Sequence, residues 1–230
     1  MCSKMKQRSR IYRLNNFLVH AILYKELNMI SSKYAGVSLL DIGCGIKPYK
    51  DIFAPYVKLH IGVDHEETLH DKSNIDRFGT AYEIPAKDGE FDCALCTAVL
   101  EHLEEPDKAI KETNRVLREG GYEIYTVPLF WHLHEEPRDF YRYTKYGLRY
   151  LFEKNGFEIV ELKPLSGFCV TFGQELIYYI WRFRRGGKLN PLWWIIPVIS
   201  LFIQGICYLL NKIDRSEEFT WMYLVVAKKI

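Results

Sequence analysis

Three groups of residues have types and spacing that could do chemistry. The first is LLDIGCGIKPYK, residues 39–50, where an apolar run ends at Asp41 and is followed by Gly43-Cys44-Gly45. The second is Asp64, which closes the next apolar run, KLHIGVD. The third is LFWHLHEEPRDFYRYT, residues 129–144, with His132, His134, acids and arginines. Glycines after a strand let the backbone approach a ligand closely, and an acid ending the following strand can accept both hydroxyls of a ribose. A dinucleotide loop wants G-x-G-x-x-G and a phosphate loop wants G-x-x-x-x-G-K-[ST]. Neither is present, so there is no dedicated pyrophosphate cradle. Asp41 is placed to orient the loop or to meet an amino group.

The set therefore asks for an adenosine-type ligand with ribose hydroxyls, an ammonium group and no phosphates. S-adenosylmethionine has that profile. Gly-x-Gly after a strand is by itself only a turn; the ordered set carries the reading. In the 129–144 stretch His and Glu can accept a proton, and arginines can grip phosphate or carboxylate. His134 or His132 is the expected base. The competing reading is a polar lid held by salt bridges, with proton loss to water. The pair in "HLH" could bind a metal, but no further ligand cluster is visible in the sequence, and no metal is expected.

These residues need elements to hold them. Apolar positions at Ile11, Leu14, Leu18, Ala21, Ile22 and Met29 have helical spacing and predict an N-terminal helix over 11–35. Strands are predicted at VSLLDI (37–42), KLHIGVD (58–64), FDCALC (91–96) and YEIYTVP (122–128), with a weaker one near 74–82. Between the last two clear strands, Ala109, Ile110, Thr113, Val116 and Leu117 make one helical face. Arg118 is expected in its last turn and Gly120-Gly121 at its end. Strands alternating with helices indicate a parallel sheet with crossover helices. TKYGLRYLFEKNG (144–156) predicts a helix with a Thr cap and a Gly stop. FEIVELKPL and the terminal FTWMYLVVAKK predict two more strands.

The chain has 230 residues, 31 basic and 29 acidic, for a net charge of +2. A single domain, 1–230, with an insertion fits this length. The balance gives no reason to expect nucleic acid, where a marked basic excess is usual. The 6 cysteines lack framework spacing. Cys93 and Cys96, on a strand, point to opposite faces and read as structural thiols. No apolar core of a secretory signal follows the first ten residues, so the cytoplasm is the expected compartment.

The motifs "LLDIGCG", "IGVD" and "AYEIPAKDGEFDCALCTAVLEHLEEPDKAIKETNRVLREGG" resemble the class I S-adenosylmethionine-dependent methyltransferases of the type 11 kind. The resemblance is greatest to the group that includes the ubiquinone and menaquinone methyltransferases. It covers residues 37–165 and the terminal strand. "GCGIKPY" and "EEPRDFYRYTKYGLRYLFEKNGF" are also similar to bacterial methyltransferases of cell-surface polysaccharide clusters. The resemblance implies a Rossmann-like, doubly wound, mostly parallel seven-stranded α/β sheet with an antiparallel terminal strand. It implies S-adenosylmethionine as cofactor. Gly43, Cys44 and Gly45 would line its methionine part, with Asp41 near its amino group. Asp64 would bind the ribose hydroxyls, His65 would lie against the adenine, and Thr80-Ala81-Tyr82 would border that ring. Thr97 would face the methionine end. The family often has an acid where Thr80 stands, so Asp76 or a backbone carbonyl is left to receive the adenine amino group. Glu101-His102 matches a frequent family dipeptide, read either as a substrate-side His102 or as a structural pair. Pro48 is expected to turn the chain into the next helix, and Tyr49 to close the cofactor pocket.

About fifty residues (166–216) separate the last two strands, far more than an ordinary connection. LWWIIPVISLFIQGICYLL (192–210) carries no charge and meets the length rule for a membrane span. It follows aromatics and then Arg182, Arg184, Arg185 and Lys188, a pairing that suits a bilayer interface. If the flanking strands pair, a single span would split the domain. The expectation is a helical hairpin lying on or dipping into the inner leaflet. The alternatives are a buried hairpin that covers the sheet or forms a homodimer interface, and a true span. The functional expectation is O-methylation of a small or lipid-linked acceptor (glycan, sugar or quinone-like). The rivals are an inactive methyltransferase fold acting as a membrane-associated assembly protein, and an NAD-dependent oxidoreductase that lacks its fingerprint.

Overall fold

A computed structural model describes residues 14–68, 71–184, 187–214 and 216–230. Ile11 of the expected first helix and Arg185 of the expected basic band lie outside the described residues.

The elements run in the order α1 (Phe17–Tyr34), β1 (Ser38–Ile42), α2 (Lys50–Phe53), β2 (Leu59–Asp64), β3 (Arg77–Phe78), β4 (Phe91–Thr97), α3 (Pro106–Val116), β5 (Leu117–Pro128), α4 (Lys145–Lys154), β6 (Phe157–Pro164), α5 (Phe168–Trp181), α6 (Leu192–Leu210) and β7 (Met222–Lys229). The strands form one sheet in the order β3-β2-β1-β4-β5-β7-β6. β1 pairs in parallel with β2 and β4, and β4 with β5; β7 runs antiparallel to β5. This is the Rossmann-like, mostly parallel, seven-stranded architecture expected, with its helical insertion before the last strand.

Parallel central strands are covered on both faces and therefore read as continuous apolar runs. The first six residues of β4 are all buried, Cys93 and Cys96 among them. The core joins Leu40, Ile42, Ala94, Tyr125 and Val225 from the strands to Ile110, Val116, Leu148 and Phe152 from the helices. In α3 the buried residues are Ala109, Ile110, Thr113 and Val116, and a proline stands in the first turn, where its missing N–H costs nothing. Burying a Val or Ile is worth roughly 1.5–3 kcal/mol, more than the few tenths that β-branching costs a helix. In α4 the Thr144 hydroxyl accepts from Gly147 N at 3.1 Å, and Gly156 follows at φ 84°.

α3 does not run on to Gly120-Gly121. It ends at Val116, because Leu117 already pairs with Phe91 in β5 and Arg118 pairs with Asp92 at 2.8 Å. The glycines sit inside β5, beside a register shift between Phe91 and Cys93.

The chain divides into two compact units. The sheet unit comprises 26–129, 133–163 and 222–230. The second comprises the described residues up to Lys25, 130–132 and 164–221. In the second unit α6 is turned inside out. Its buried positions are Ile196, Ser200, Gln204 and Cys207, one stripe at helical spacing. Gln204 accepts from Leu18 N at 2.8 Å and donates to the Leu14 carbonyl at 2.7 Å; Ser200 accepts from Trp181 Nε1 at 2.7 Å. The opposite side exposes Trp194, Val198, Phe202, Ile206 and Leu209. Among the described residues, α6 is the one helix long and apolar enough to cross a membrane, and 22% of its window is buried.

Candidate active site

The carboxyl ends of β1, β2 and β4 meet at one sheet edge. Asp41 lies opposite Gly62 of β2 and Leu95 of β4. The turn after β1 needs its glycines. Gly43 has φ 64°, and a Cβ there would stand 2.5 Å from Val99 Cγ2. Gly45 has φ 47°, and its N–H donates to Asp64 Oδ2 at 2.9 Å. Asp64 Oδ1 accepts from His65 N at 2.8 Å. A carboxylate has about four lone-pair directions, so Asp64 ties the turn to β2 and keeps acceptor capacity for a diol.

Asp41 is buried, with Oδ2 3.0 Å from His60 Nε2. Burial pushes its carboxyl up, and the neighbouring His60 pulls it back. Burial also pushes the Cys44 thiol up to about 12. Lys47 is buried at φ 51°. Its ammonium donates to the His60 carbonyl at 3.2 Å and to Asp76 Oδ2. That same Asp76 oxygen accepts from Gly62 N at 2.6 Å. Asp76 thus ties Lys47, just after the glycine turn, to β2, a commitment its sequence position did not reveal.

Thr80 Oγ1 accepts from Tyr82 N at 3.3 Å and Glu83 N at 3.1 Å, which fixes the Thr80-Ala81-Tyr82 turn. The Tyr82 hydroxyl donates to Glu104 Oε2 at 3.1 Å and accepts from Glu105 N at 3.2 Å. Thr97 ends β4 opposite Thr126 of β5. All the expected cofactor residues lie in the sheet unit.

The two histidines of "HLH" are divided between the units. His132, in the second, lies 3.4 Å from Glu175 and against the Tyr178 ring at 4.3 Å. His134, in the sheet unit, has Nδ1 3.3 Å from Asp139 Oδ2, and its own N–H donates to that oxygen at 2.9 Å. Arg142 donates to both oxygens of Asp139, at 2.6 and 2.8 Å. These bonds hold the Asp139 carboxyl well below the usual range. On its other side, His134 Nε2 faces Glu101 Oε1 at 4.0 Å. His102 Nε2 stands 3.9 Å from the same oxygen, and the two imidazole rings meet edge-on at 4.8 Å. Glu101 is fully buried, and neither carboxylate oxygen has a hydrogen-bond partner. Burial pushes its carboxyl up to about 8. The sequence offered "LEHL" as a signal for Glu101 and His102, but not their meeting with His134.

Residues 40–125 match the family model described as a methyltransferase domain. The resemblance to the class I S-adenosylmethionine-dependent methyltransferases of the type 11 kind therefore holds for the segment that carries the glycine turn, Asp64 and Glu101. S-adenosylmethionine is the cosubstrate that this family and fold imply. Among curated proteins, the chain is 31% identical over 113 residues to ajmaline N-methyltransferase of Rauvolfia serpentina, covering 43% of this chain and 37% of that protein. It is 30% identical over 127 residues to ubiquinone biosynthesis O-methyltransferase of Coxiella burnetii, covering 51% of this chain and 52% of that one. The chain thus spans about half or less of the length of these relatives. Among solved structures, an S-adenosylmethionine-dependent methyltransferase from Mesorhizobium loti superposes with a TM-score of 0.60 at 14% identity, over 92% of this chain and 100% of that one, a likeness of fold.

Proposed function

We propose that this chain transfers a methyl group from S-adenosylmethionine to an oxygen of a small or lipid-linked acceptor. The observation that carries the reading is the ordered edge of β1 and β2. There Asp41, the turn through Gly43-Cys44-Gly45 with both glycines left-handed, and Asp64 stand together inside the matched segment. In this reading Asp64 accepts from the ribose hydroxyls, and the turn lines the methionine part with Asp41 near its amino group. His65 and Thr80-Ala81-Tyr82 border the adenine, and Thr97 faces the methionine end. The sulfonium is already activated, so alignment for in-line attack is the main requirement. Proton loss from the acceptor is assigned to the His134 corner. Asp139 favours the proton on Nδ1 and so turns the Nε2 lone pair away from itself. His132, the other expected base, is paired with Glu175 in the second unit.

The choice of an amphiphilic acceptor rests on α6. Its polar side chains are used inside its own unit, while large apolar ones face outward. Arg184 lies between the Trp181 and Trp193 rings at 4.2 and 4.1 Å, the aromatic and basic pairing of a bilayer interface. β6 and β7 are neighbours in the sheet, so the chain leaves and re-enters it side by side. That favours a hairpin lying in the inner leaflet over a single span.

Calorimetry with S-adenosylmethionine tests the first claim. Binding by the wild type and strong weakening by Asp64→Ala are expected; no binding by the wild type sinks the enzyme reading. Sedimentation with anionic liposomes tests the second. The full chain should pellet and a chain lacking 189–213 should not; equal recovery removes the membrane claim.

A further inference from the structure

We propose that Glu101, His102 and His134 form a binding site for one divalent transition-metal cation of the zinc or cobalt kind. Their donor atoms, Glu101 Oε1 and the two imidazole Nε2 atoms, all lie within 4.8 Å of one another. Such cations bind histidine nitrogen and carboxylate oxygen at about 2.0–2.2 Å, so two donors of one tetrahedral ion stand about 3.3–3.6 Å apart. The two His–Glu separations, 3.9 and 4.0 Å, exceed that spacing by only a few tenths of an ångström. Small turns of the imidazoles bring the whole set onto one ion.

Three independent features point the same way. First, Glu101 is fully buried and both of its oxygens lack a partner. A buried polar group left unmatched is costly, and a cation within reach of the carboxylate removes that cost. Second, each histidine has its other ring nitrogen against an acceptor. His102 Nδ1 is 2.5 Å from the Arg138 carbonyl, and His134 Nδ1 is 3.3 Å from the Asp139 carboxylate. That arrangement places the protons on Nδ1 and the lone pairs on Nε2, as outer-shell partners do for metal-bound histidines. Third, two imidazoles with one carboxylate leave further positions open, the pattern of catalytic rather than structural metal sites. The side chains of His102 and His134 keep 13% and 25% exposure, which leaves a route in. Glu135 Oε2, 3.9 Å from His102 Nε2, can join as a fourth donor.

The site is independent of methyl transfer as a binding claim. Its consequence for the reaction does rest on that reading. With a cation present, the ion would hold the His134 Nε2 lone pair and lower the pKa of a coordinated acceptor hydroxyl, whose proton would pass to water rather than to His134.

The test uses tag-free, chelator-stripped full chain titrated with cobalt chloride, followed by visible absorption and calorimetry. One equivalent should bind with the absorption of nitrogen and oxygen ligation. Glu101→Gln and His102→Asn should each lose most of the affinity, and Asp139→Asn about 10–100-fold. Circular dichroism checks that each variant is folded, and S-adenosylmethionine affinity is read on the same samples. No stoichiometric cobalt binding by the wild type, or wild-type binding by folded Glu101→Gln and His102→Asn, overturns the proposal. Cobalt binding without S-adenosylmethionine binding leaves the cation site standing and removes the methyl-transfer reading alone.

Discussion

At the residue scale, Asp64 does two jobs. Its carboxylate holds Gly45 N and His65 N before any ligand arrives. Asp64→Ala should therefore lower S-adenosylmethionine affinity and also destabilise the chain by about 1–3 kcal/mol, the cost of orphaning buried donors. Asp64→Asn keeps one acceptor oxygen and should recover stability ahead of affinity. Calorimetry and thermal melts on both variants separate the two effects. Gly43→Ala should melt earlier, since a Cβ at φ 64° would meet Val99. Adding Val99→Ala should restore part of the loss, and an unchanged deficit would place the cost in the backbone alone. His134→Ala should cut turnover sharply while S-adenosylmethionine affinity stays level; equal turnover would move proton removal elsewhere. The glycine turn and its acids were legible in the sequence because β1 and β2 lie next to each other and local pattern fixes both strand ends. The Glu101–His134 pairing was not. It joins a short turn after β4 to a loop after β5, and only the parallel register of those strands brings them together. Likewise nothing local to Asp76 announces that Lys47, in a different turn, claims its carboxylate.

At the scale of elements, α6 was read from composition with its observed bounds, because a charge-free run of that length has few other uses. What composition could not give was its orientation. The stripe of Ile196, Ser200, Gln204 and Cys207 turns inward, so the helix presents its apolar side outward. Replacing Val198 and Phe202 together by Glu should abolish liposome binding and leave the fold intact by circular dichroism. Brominated lipid should quench the exposed Trp194 in the wild type; unquenched emission would keep α6 out of the bilayer. The end of α3 was misplaced for a related reason. Gly120-Gly121 is a good helix stop in isolation, but Leu117 gains more by pairing with Phe91 and opening β5. Tertiary pairing overrode a valid local signal.

At the scale of the whole molecule, one buried acid outside the site adds its own dependence of stability on pH. Glu123, at the centre of β5, is fully buried with neither carboxylate oxygen partnered, and desolvation pushes its carboxyl far up. The folded chain therefore keeps a proton that the unfolded chain releases above its ordinary carboxylate range. Stability is present below that range and is lost as pH rises, by up to about 1.4 kcal/mol per pH unit. Glu123→Gln removes its share of this slope. Its melting temperature should gain on the wild type as pH rises above the ordinary carboxylate range; a constant gap would mean that Glu123 does not titrate on unfolding.

The division into two units carries a practical consequence for watching this protein unfold. All five tryptophans, Trp131, Trp181, Trp193, Trp194 and Trp221, fall in the unit that contains α5 and α6, and the sheet unit has none. Tryptophan emission is thus a private signal of the insertion unit, silent about the cofactor edge. Far-ultraviolet dichroism reads both. Where the two melting curves coincide, the units stand or fall together. Where they part, the units unfold separately, and the offset measures the difference in their stabilities.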